Sequence, residues 1–297
     1  MLIRSEQHAL ITIKAALMRA ERILGPAHET ARIDAEVLLA YVTDRSRTWL
    51  HTWPDHQLTA EQTHRYYPLV QRRTAGEPVA YLTGSREFWS LPLHVTTATL
   101  IPRPETELVV EQALLRIPEN AAHRIADLGT GCGAIAMAIA HERPASHIMA
   151  TDIAAAALDV AKHNAARLGI HNVECRQGDW FKPLAGQYFN IIVTNPPYIS
   201  AGDPYIQQGD LRFEPIGALV PGIEGLEALR IIVSQSRNHL LDRGWLLVEH
   251  GYKQQEDVMD LFERAGYLQV QGFTDIAGKD RLVAGQYLTH QTSPRTP

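Results

Sequence analysis

The sequence predicts an α/β fold: a doubly wound, mostly parallel sheet preceded by a small helical bundle. Three observations predict it. Apolar residues recur at helical spacing over the first 75 or so positions, short apolar runs alternate with helical periods after residue 122, and a Gly-rich turn closes the first of those runs. With 297 residues and about 150 per domain, the chain has room for two domains.

The bundle comes first. Leu10, Ile13, Leu17 and Leu24 sit three to seven residues apart until Gly25 and Pro26 stop the pattern. Thr30 is placed to cap a second helix with Ile33, Val37, Leu38 and Tyr41 on one apolar face. Thr59 and Gln62 form a capping box for a later helix. Pro68 lies within that later helix, where it should cost about 3 kcal/mol or kink the chain. Residues 1–75 are thus read as a helical domain and 76–100 as a linker, in which GEPVAYLTG breaks the helical period and two short strands flank Ser90, Leu91 and Pro92 as a hairpin.

The larger domain is expected over 101–290. Pro102 and Pro104 forbid a helix there, after which Glu105 and Glu107 open an apolar period through Leu108, Val109 and Leu115. Strands follow at 124–128, 147–151, 173–177 and 190–194, with helices at 135–141 and 154–168 between the first three. A helix at 225–241, a strand at 245–249, a helix at 254–265 and strands at 267–273 and 281–287 complete seven strands, the last two as an antiparallel pair. Residues 291–297 are polar and Pro-bearing, and are expected to form a frayed tail.

Composition narrows the function classes. A 45% hydrophobic, 21% charged chain excludes a disordered or fibrous protein, and a net charge of −5 lacks the basic field that sequence-independent nucleic-acid binders use. Cys132 and Cys175 are too few for a disulfide framework and stand at no zinc spacing, so no metal and a cytoplasmic location are expected. No run of 18 apolar residues occurs, and the charged N-terminus argues against a signal peptide.

One half of a site is a loop. The motif DLGTGCG at 127–133 follows the first strand and opens a helix with small residues Ala134, Ala136 and Ala138. Gly129, Gly131 and Gly133 allow a tight turn and a close approach of backbone to ligand, with Thr130 and Cys132 between them. Asp152 ends the second strand, about 20 residues further on, where a carboxylate can accept from both hydroxyls of a ribose. A ligand-free strand-to-helix turn would use the same glycines. Gly129, Gly131 and Ala134 also satisfy GxGxxA, so the loop alone does not separate a dinucleotide pyrophosphate from a compact sulfonium cofactor.

The other half follows the fourth strand. Asn195, Pro196, Pro197 and Tyr198 stand at the carboxyl edge of the sheet, where doubly wound folds bind ligands. Prolines donate no N–H, so the Pro196 carbonyl and the Asn195 amide oxygen form two acceptors suited to one NH2 group. Tyr198 offers a flat face, worth about 1 to 3 kcal/mol when it stacks on a base. An amide nitrogen is a poor nucleophile because its lone pair is delocalised. Two acceptors aimed at its hydrogens free that pair and stabilise the positive charge that grows on nitrogen, which points to methyl transfer from an activated carrier. Asp179 and Trp180, after the third strand, could contact an adenine; a loop-anchoring Trp is the plainer reading.

With these residues in hand, the chain closely resembles the HemK/PrmC family, S-adenosylmethionine-dependent methyltransferases that modify the glutamine amide of a Gly-Gly-Gln loop in class 1 peptide chain release factors. The resemblance runs nearly end to end, through GEPVAYLTGSREFWSLPLHV, TLIPRPETE, DLGTGCGAIA, GDWF, NPPYI and QQGDLRFEP. It implies a Rossmann-like methyltransferase sheet of seven strands and cofactor contacts at Gly129 to Gly133, Asp152, Trp180 and Asn195. It also implies a substrate glutamine held by Asn195, Pro196, Pro197 and Tyr198, a helical domain that contacts the release factor, and a substrate entrance bordered by Ile199 to Pro221. Cys132 stands where the family often has Thr or Ser. A monomer with no nucleic-acid or membrane partner is expected.

Two alternatives stay open at this level. An adenine-N6 DNA methyltransferase shares the amine chemistry but must extrude its base and needs a basic groove, which the mixed charges of the first 75 residues do not supply. A nucleotide-binding dehydrogenase, or a binding module without catalysis, fits GxGxxA and leaves NPPY without a task.

Overall fold

The computed structural model describes residues 11–25 and 29–289, arranged as two units, Met1–Gly84 and Ser85–Pro297. Leu10, Pro26 and the expected tail at 291–297 lie outside the described residues.

In the first unit polar caps start the helices. Thr12 accepts from the Ala15 N–H to open α1 (Ile13–Leu24), whose Ile13, Leu17 and Leu24 are buried as their spacing requires. In α2 (Ala31–Thr43) Thr30 occupies the cap position, but its hydroxyl donates to Asp34 instead of capping. The buried face of α2 is Ala35, Leu38, Leu39 and Val42, not the expected Ile33 and Tyr41, which are 50% and 45% exposed. The reason is charge pairing. Asp34 and Glu36 are buried on that side, where Arg73 reaches Asp34 and Arg32 and Arg47 reach Glu36, so the helix is rotated from the face that hydrophobicity alone selects.

After α3 (Arg47–Thr52), α4 (Ala60–Thr74) begins with the complete Thr59/Gln62 capping box and runs unbroken through Pro68. Pro68 lies on the exposed side, as does His64, whose carbonyl loses its intrahelical partner and is free to bond water. The GEPVAYLTG stretch, expected as linker, holds a further helical turn, α5 (Val79–Thr83), started at Pro78 and ended by left-handed Gly84. The first unit therefore extends past the expected boundary at residue 75 to Gly84.

The second unit opens with the hairpin β1 (Ser85–Phe88) and β2 (Leu91–His94). A 3₁₀ turn at Pro104–Thr106 then leads into α6 (Glu107–Leu114). The sheet strands and their helices follow as β3 (Arg124–Leu128), α7 (Ala134–Glu142), β4 (His147–Asp152), α8 (Ala155–Leu168), β5 (Val173–Gln177), β6 (Phe189–Thr194), α9 (Glu227–Ser236), β7 (Leu240–Glu249), α10 (Gln255–Arg264), β8 (Leu268–Thr274) and β9 (Asp280–Tyr287). They form one seven-stranded sheet in the order β5-β4-β3-β6-β7-β9-β8. Its first five strands are parallel and β9 is antiparallel to both of its neighbours, as the closing pair predicted. The helix expected to reach residue 241 ends at Ser236, and Leu240 already pairs with Phe189.

The two central strands are apolar throughout because both faces are covered. Ala126, Leu128 and Ile192 pack with Leu229 and Ile232 of α9 and with Val258 and Phe262 of α10. Alternation sends Ile125 and Asp127 to the opposite face, where the Ala136 N–H of α7 meets the Asp127 carboxylate. The sheet order reverses between β3 and β6, and this is where a doubly wound fold opens its crevice. Among the described residues no helix is long and apolar enough to cross a membrane.

Asn164 of α8 clasps the hairpin to the glycine loop. Fully buried, it accepts from the His94 N–H at 2.7 Å and donates to the carbonyls of His94 at 2.9 Å and Cys132 at 2.8 Å. Asn164→Ala removes these three hydrogen bonds, the one to the Cys132 carbonyl fully buried, and is expected to lower stability by about 2 to 4 kcal/mol. Chemical denaturation measures the change, and a loss below about 0.5 kcal/mol would contradict the clasp.

Candidate active site

At the carboxyl ends of β3, β4 and β6 lies a cavity of about 410 Å³, within the range of small-molecule sites. The loop after β3 forms its floor. Gly129, Gly131 and Gly133 all have positive φ, at 66°, 57° and 86°, a conformation that side chains resist. A Cβ on Gly131 would point into open space, whereas one on Gly133 would meet the Met137 side chain at 3.0 Å and Ala161 at 3.3 Å. Gly131 thus exposes backbone to the cavity, and Gly133 lets α7 and α8 pack closely.

Asp152, at the end of β4, lines the cavity and stiffens the loop. One carboxylate oxygen accepts from the Gly131 N–H and the other from the Ala154 N–H, both at 2.9 Å. Each oxygen retains a lone pair for a ligand hydroxyl. Trp180 has a left-handed backbone, with φ 47°, and its ring lies 3.5 Å from where a Gly129 Cβ would stand. Residues held in that region cost on the order of 1 to 3 kcal/mol and concentrate at functional sites; here the strain holds an indole over the glycine loop.

Asp127, behind the loop, is fully buried. It accepts from the Thr130 hydroxyl at 2.6 Å and the Ala136 N–H at 3.2 Å, while Oδ1 has no partner in the structure. Burial pushes its pKa up to about 7, a rise that those two donors limit and the nearby charge of Asp152 adds to. Cys132 is also buried, and burial pushes its thiol up to about 12, so it is neutral and unreactive near pH 7. Its carbonyl is engaged by Asn164, which makes backbone, not sulfur, its contribution to the loop.

Asn195 follows β6 and lies directly beside the loop. Thr194 and Leu128 are register partners, and the Thr194 hydroxyl donates to the Leu128 carbonyl at 2.8 Å. The Asn195 amide donates from Nδ2 to the Thr106 hydroxyl at 3.0 Å. Its Oδ1 is therefore left for the cavity, and among the described residues nothing donates to that oxygen or to the Pro196 carbonyl.

Gly129, Thr130, Gly131, Cys132, Asp152, Trp180, Asn195 and Pro197 line the cavity as anticipated, whereas Gly133, Pro196 and Tyr198 do not. Pro196 is buried. Tyr198 turns its hydroxyl to Glu249 at 3.3 Å, packs against the α9–α10 core and has its carbonyl held by Gln254 at 3.1 Å. Burial raises the pKa of its phenol, and the Glu249 charge raises it further. Pro215, Gly217, Ala218, Val220 and Pro221 form a wall, where the segment after NPPY was expected to border an entrance.

Sequence reasoning missed Arg103, Thr106 and Glu249. Arg103 and Thr106 line the cavity, and Arg103 pairs with buried Glu214, which also accepts from the Ile101 N–H at 3.2 Å. This joins IPRPETE to RFEP, two segments that carried the resemblance without an assigned task. For Arg103 the available signal was a charged residue set between Pro102 and Pro104. Among the described residues no group of three or more His, Cys, Asp or Glu is set to hold a metal ion.

Fold and site together define a methyltransferase. Residues 15–84 match the PrmC N-terminal domain and residues 106–208 the methyltransferase small domain. The chain is 51% identical over 261 residues to the release factor glutamine methyltransferase of Escherichia coli K12, covering 88% of this chain and 94% of that protein. It is 49% identical over 255 residues to the release factor glutamine methyltransferase of Xylella fastidiosa, covering 86% and 93%. A methyltransferase from Pyrococcus furiosus shares the fold, with a TM-score of 0.50 and 15% identity over 67% of this chain and 90% of that one. The chain belongs to the release factor glutamine methyltransferase family.

Asp127 and Glu249 give the fold an inverted dependence on pH. Both carboxyls are pushed up to about 7 by burial, so the protonated form favours folding, and their contribution falls as pH rises from about 4 through 7. Asp127→Asn removes one of these ionisations and is expected to lose less melting temperature than wild type between pH 5 and pH 8. Parallel curves for the two proteins would show that Asp127 does not ionise in that interval.

Proposed function

We propose that this chain transfers a methyl group from S-adenosylmethionine to the side-chain amide nitrogen (N5) of the glutamine in the Gly-Gly-Gln loop of class 1 peptide chain release factors. The observation that carries the reading is the Asn195 amide oxygen, which is left for the cavity at the tip of β6. Asn195 Oδ1 and the Pro196 carbonyl receive no hydrogen bond from the described residues, and an NH2 group has two hydrogens to give. A dehydrogenase would leave that pair without a task, and curated relatives at about half identity are glutamine methyltransferases.

The cavity suits the cofactor. Gly131 presents backbone with open space at its Cβ position, both Asp152 oxygens keep acceptor capacity for ribose hydroxyls, and Trp180 with Ile153 offers apolar surface to a base. S-adenosylmethionine supplies, when bound, a methyl already activated on a sulfonium. The residues then have a positional and electrostatic duty. Asn195 Oδ1 and the Pro196 carbonyl orient the substrate carboxamide, and their partial negative charge stabilises positive charge developing on its nitrogen. The partly buried ring of Tyr198, fixed by Glu249, supports the tip from behind. The helical unit is proposed to grip the body of the release factor, a translation factor, which sets the reaction in the cytoplasm.

Incubation with labelled cofactor and purified release factors tests the reading. Label is expected on the wild-type factor and absent when the loop glutamine is replaced; label on both would move the substrate elsewhere. Asn195→Ala is expected to lower kcat about 10²-fold with cofactor affinity retained, and an unaltered kcat would remove Asn195 from catalysis. Asp152→Ala is expected to weaken S-adenosylhomocysteine binding, because ribose contacts are made equally in ground and transition states. Calorimetry showing wild-type affinity would exclude that contact.

A further inference from the structure

We infer that Gln254 is a positioning residue for the transfer: its side-chain amide bridges the Asn-Pro-Pro-Tyr tip of β6 to the start of α9 and so holds the tip in place. The inference rests on the proposed glutamine methylation and concerns what keeps its acceptor fixed.

The tip has little with which to hold itself. Pro196 and Pro197 carry no N–H, so neither donates a backbone hydrogen bond, and the anchorage must come from groups outside the turn. On the Asn195 side the anchor is Thr106. On the Tyr198 side the tyrosine hydroxyl donates to Glu249 at 3.3 Å, the Ile199 N–H donates to the Leu219 carbonyl at 3.0 Å, and the Tyr198 carbonyl accepts from Gln254 Nε2 at 3.1 Å.

Gln254 joins three segments. Its Oε1 accepts from the Gly251 N–H at 2.9 Å, in the loop after β7, while Nε2 also reaches the Gly225 carbonyl at 3.3 Å, two residues before α9. A backbone N–H only donates, so the Gly251 contact decides which end of the amide is which. The Nε2 hydrogens then go to two carbonyls, one on the tip and one on the approach to α9. Among the described residues no other group donates to either carbonyl. The backbone is shaped to this bridge: Gly225 has a φ of 84°, and a Cβ there would stand 2.7 Å from the Tyr198 carbonyl oxygen and 3.3 Å from Gln254 Nε2. Gln254 also occupies the N-cap position of α10, where a side chain commonly accepts from the helix's own N–H groups, yet it makes no such bond. Its amide serves the site instead of its helix.

The bridge reaches the cavity from two directions. Asn195 and Pro197 line it from the tip, and Glu227, Ala228 and Ile231 line it from α9. A misplacement of about 1 Å in such a constellation costs on the order of 10²-fold in rate. The groups proposed to hold the cofactor, Gly131, Asp152 and Trp180, follow other strands and make no hydrogen bond to Gln254.

Gln254→Met keeps the length and removes both donors. It is expected to lower kcat by about 10- to 100-fold, with the affinity for S-adenosylhomocysteine within about 2-fold of wild type. Gln254→Glu supplies a readout that lost packing would not move. Ionised, the introduced carboxyl still accepts from Gly251 but donates nothing; protonated, it gives one O–H to the Tyr198 carbonyl. Its kcat relative to wild type at the same pH is therefore expected to rise severalfold as pH falls, whereas the ratio for Gln254→Met stays flat. The 13C resonance of the Tyr198 carbonyl reports the bond without turnover: its difference from wild type should titrate in Gln254→Glu and stay constant in Gln254→Met. Gln254→Glu serves alone where Gln254→Met does not fold. Wild-type kcat in folded Gln254→Met, or a ratio that does not change with pH in Gln254→Glu, would overturn the inference. Should wild type fail to methylate release factors while the Tyr198 resonance still titrates in Gln254→Glu, the proposed substrate falls and the bridge stands.

Discussion

The parallel pairing of β3 with β6 is the constraint on which the rest of the site depends. It puts Leu128 opposite Thr194, so the glycine loop and the Asn-Pro-Pro-Tyr tip leave the sheet side by side, 66 residues apart in sequence and joined by the Thr194 hydroxyl on the Leu128 carbonyl. A register slip of one residue would send Thr194 and Asn195 to opposite faces. Both strands are buried on both faces, and this burial protects the register. Cofactor pocket and amide clasp are therefore two ends of one strand pair, and every further group, from Asp152 to Thr106, adjusts what that pair has brought together.

Much of this was legible in the chain. The β-strands of the sheet, their seven-fold count and the antiparallel closing pair followed from apolar runs and turn residues, because central parallel strands must be apolar and loops must not. Eight of the anticipated site residues line the cavity, since glycines and prolines advertise backbone requirements directly in the sequence. The parts that escaped are those decided by tertiary pairing of polar groups. The apolar face of α2 was misjudged because buried Asp34 and Glu36 find arginines far along the chain. Thr106 and Glu249 escaped because a single threonine or glutamate carries no periodic signal; only the fold shows that Thr106 meets the Asn195 amide and Glu249 the Tyr198 hydroxyl. The extra turn α5 escaped because five residues after a proline are too short for a period to register.

The site carries its acids inside. Asp127 and Glu249 are each buried and each raised to about 7, a cost to stability that a purely structural core would avoid. Their positions suggest complementary uses. Asp127 fixes the start of α7 and the Thr130 hydroxyl, and so the shape of the glycine loop; Glu249 anchors Tyr198. One acid shapes each half of the site, from behind and without touching the cavity.

The most direct measurement is a crystal structure of the chain with S-adenosylhomocysteine and a peptide carrying the Gly-Gly-Gln loop. A glutamine carboxamide nitrogen within about 3 Å of both Asn195 Oδ1 and the Pro196 carbonyl, with Nδ2 still on Thr106, is the expected result. A carboxamide bound away from the tip of β6, or an Asn195 that turns its NH2 toward the peptide, would contradict it.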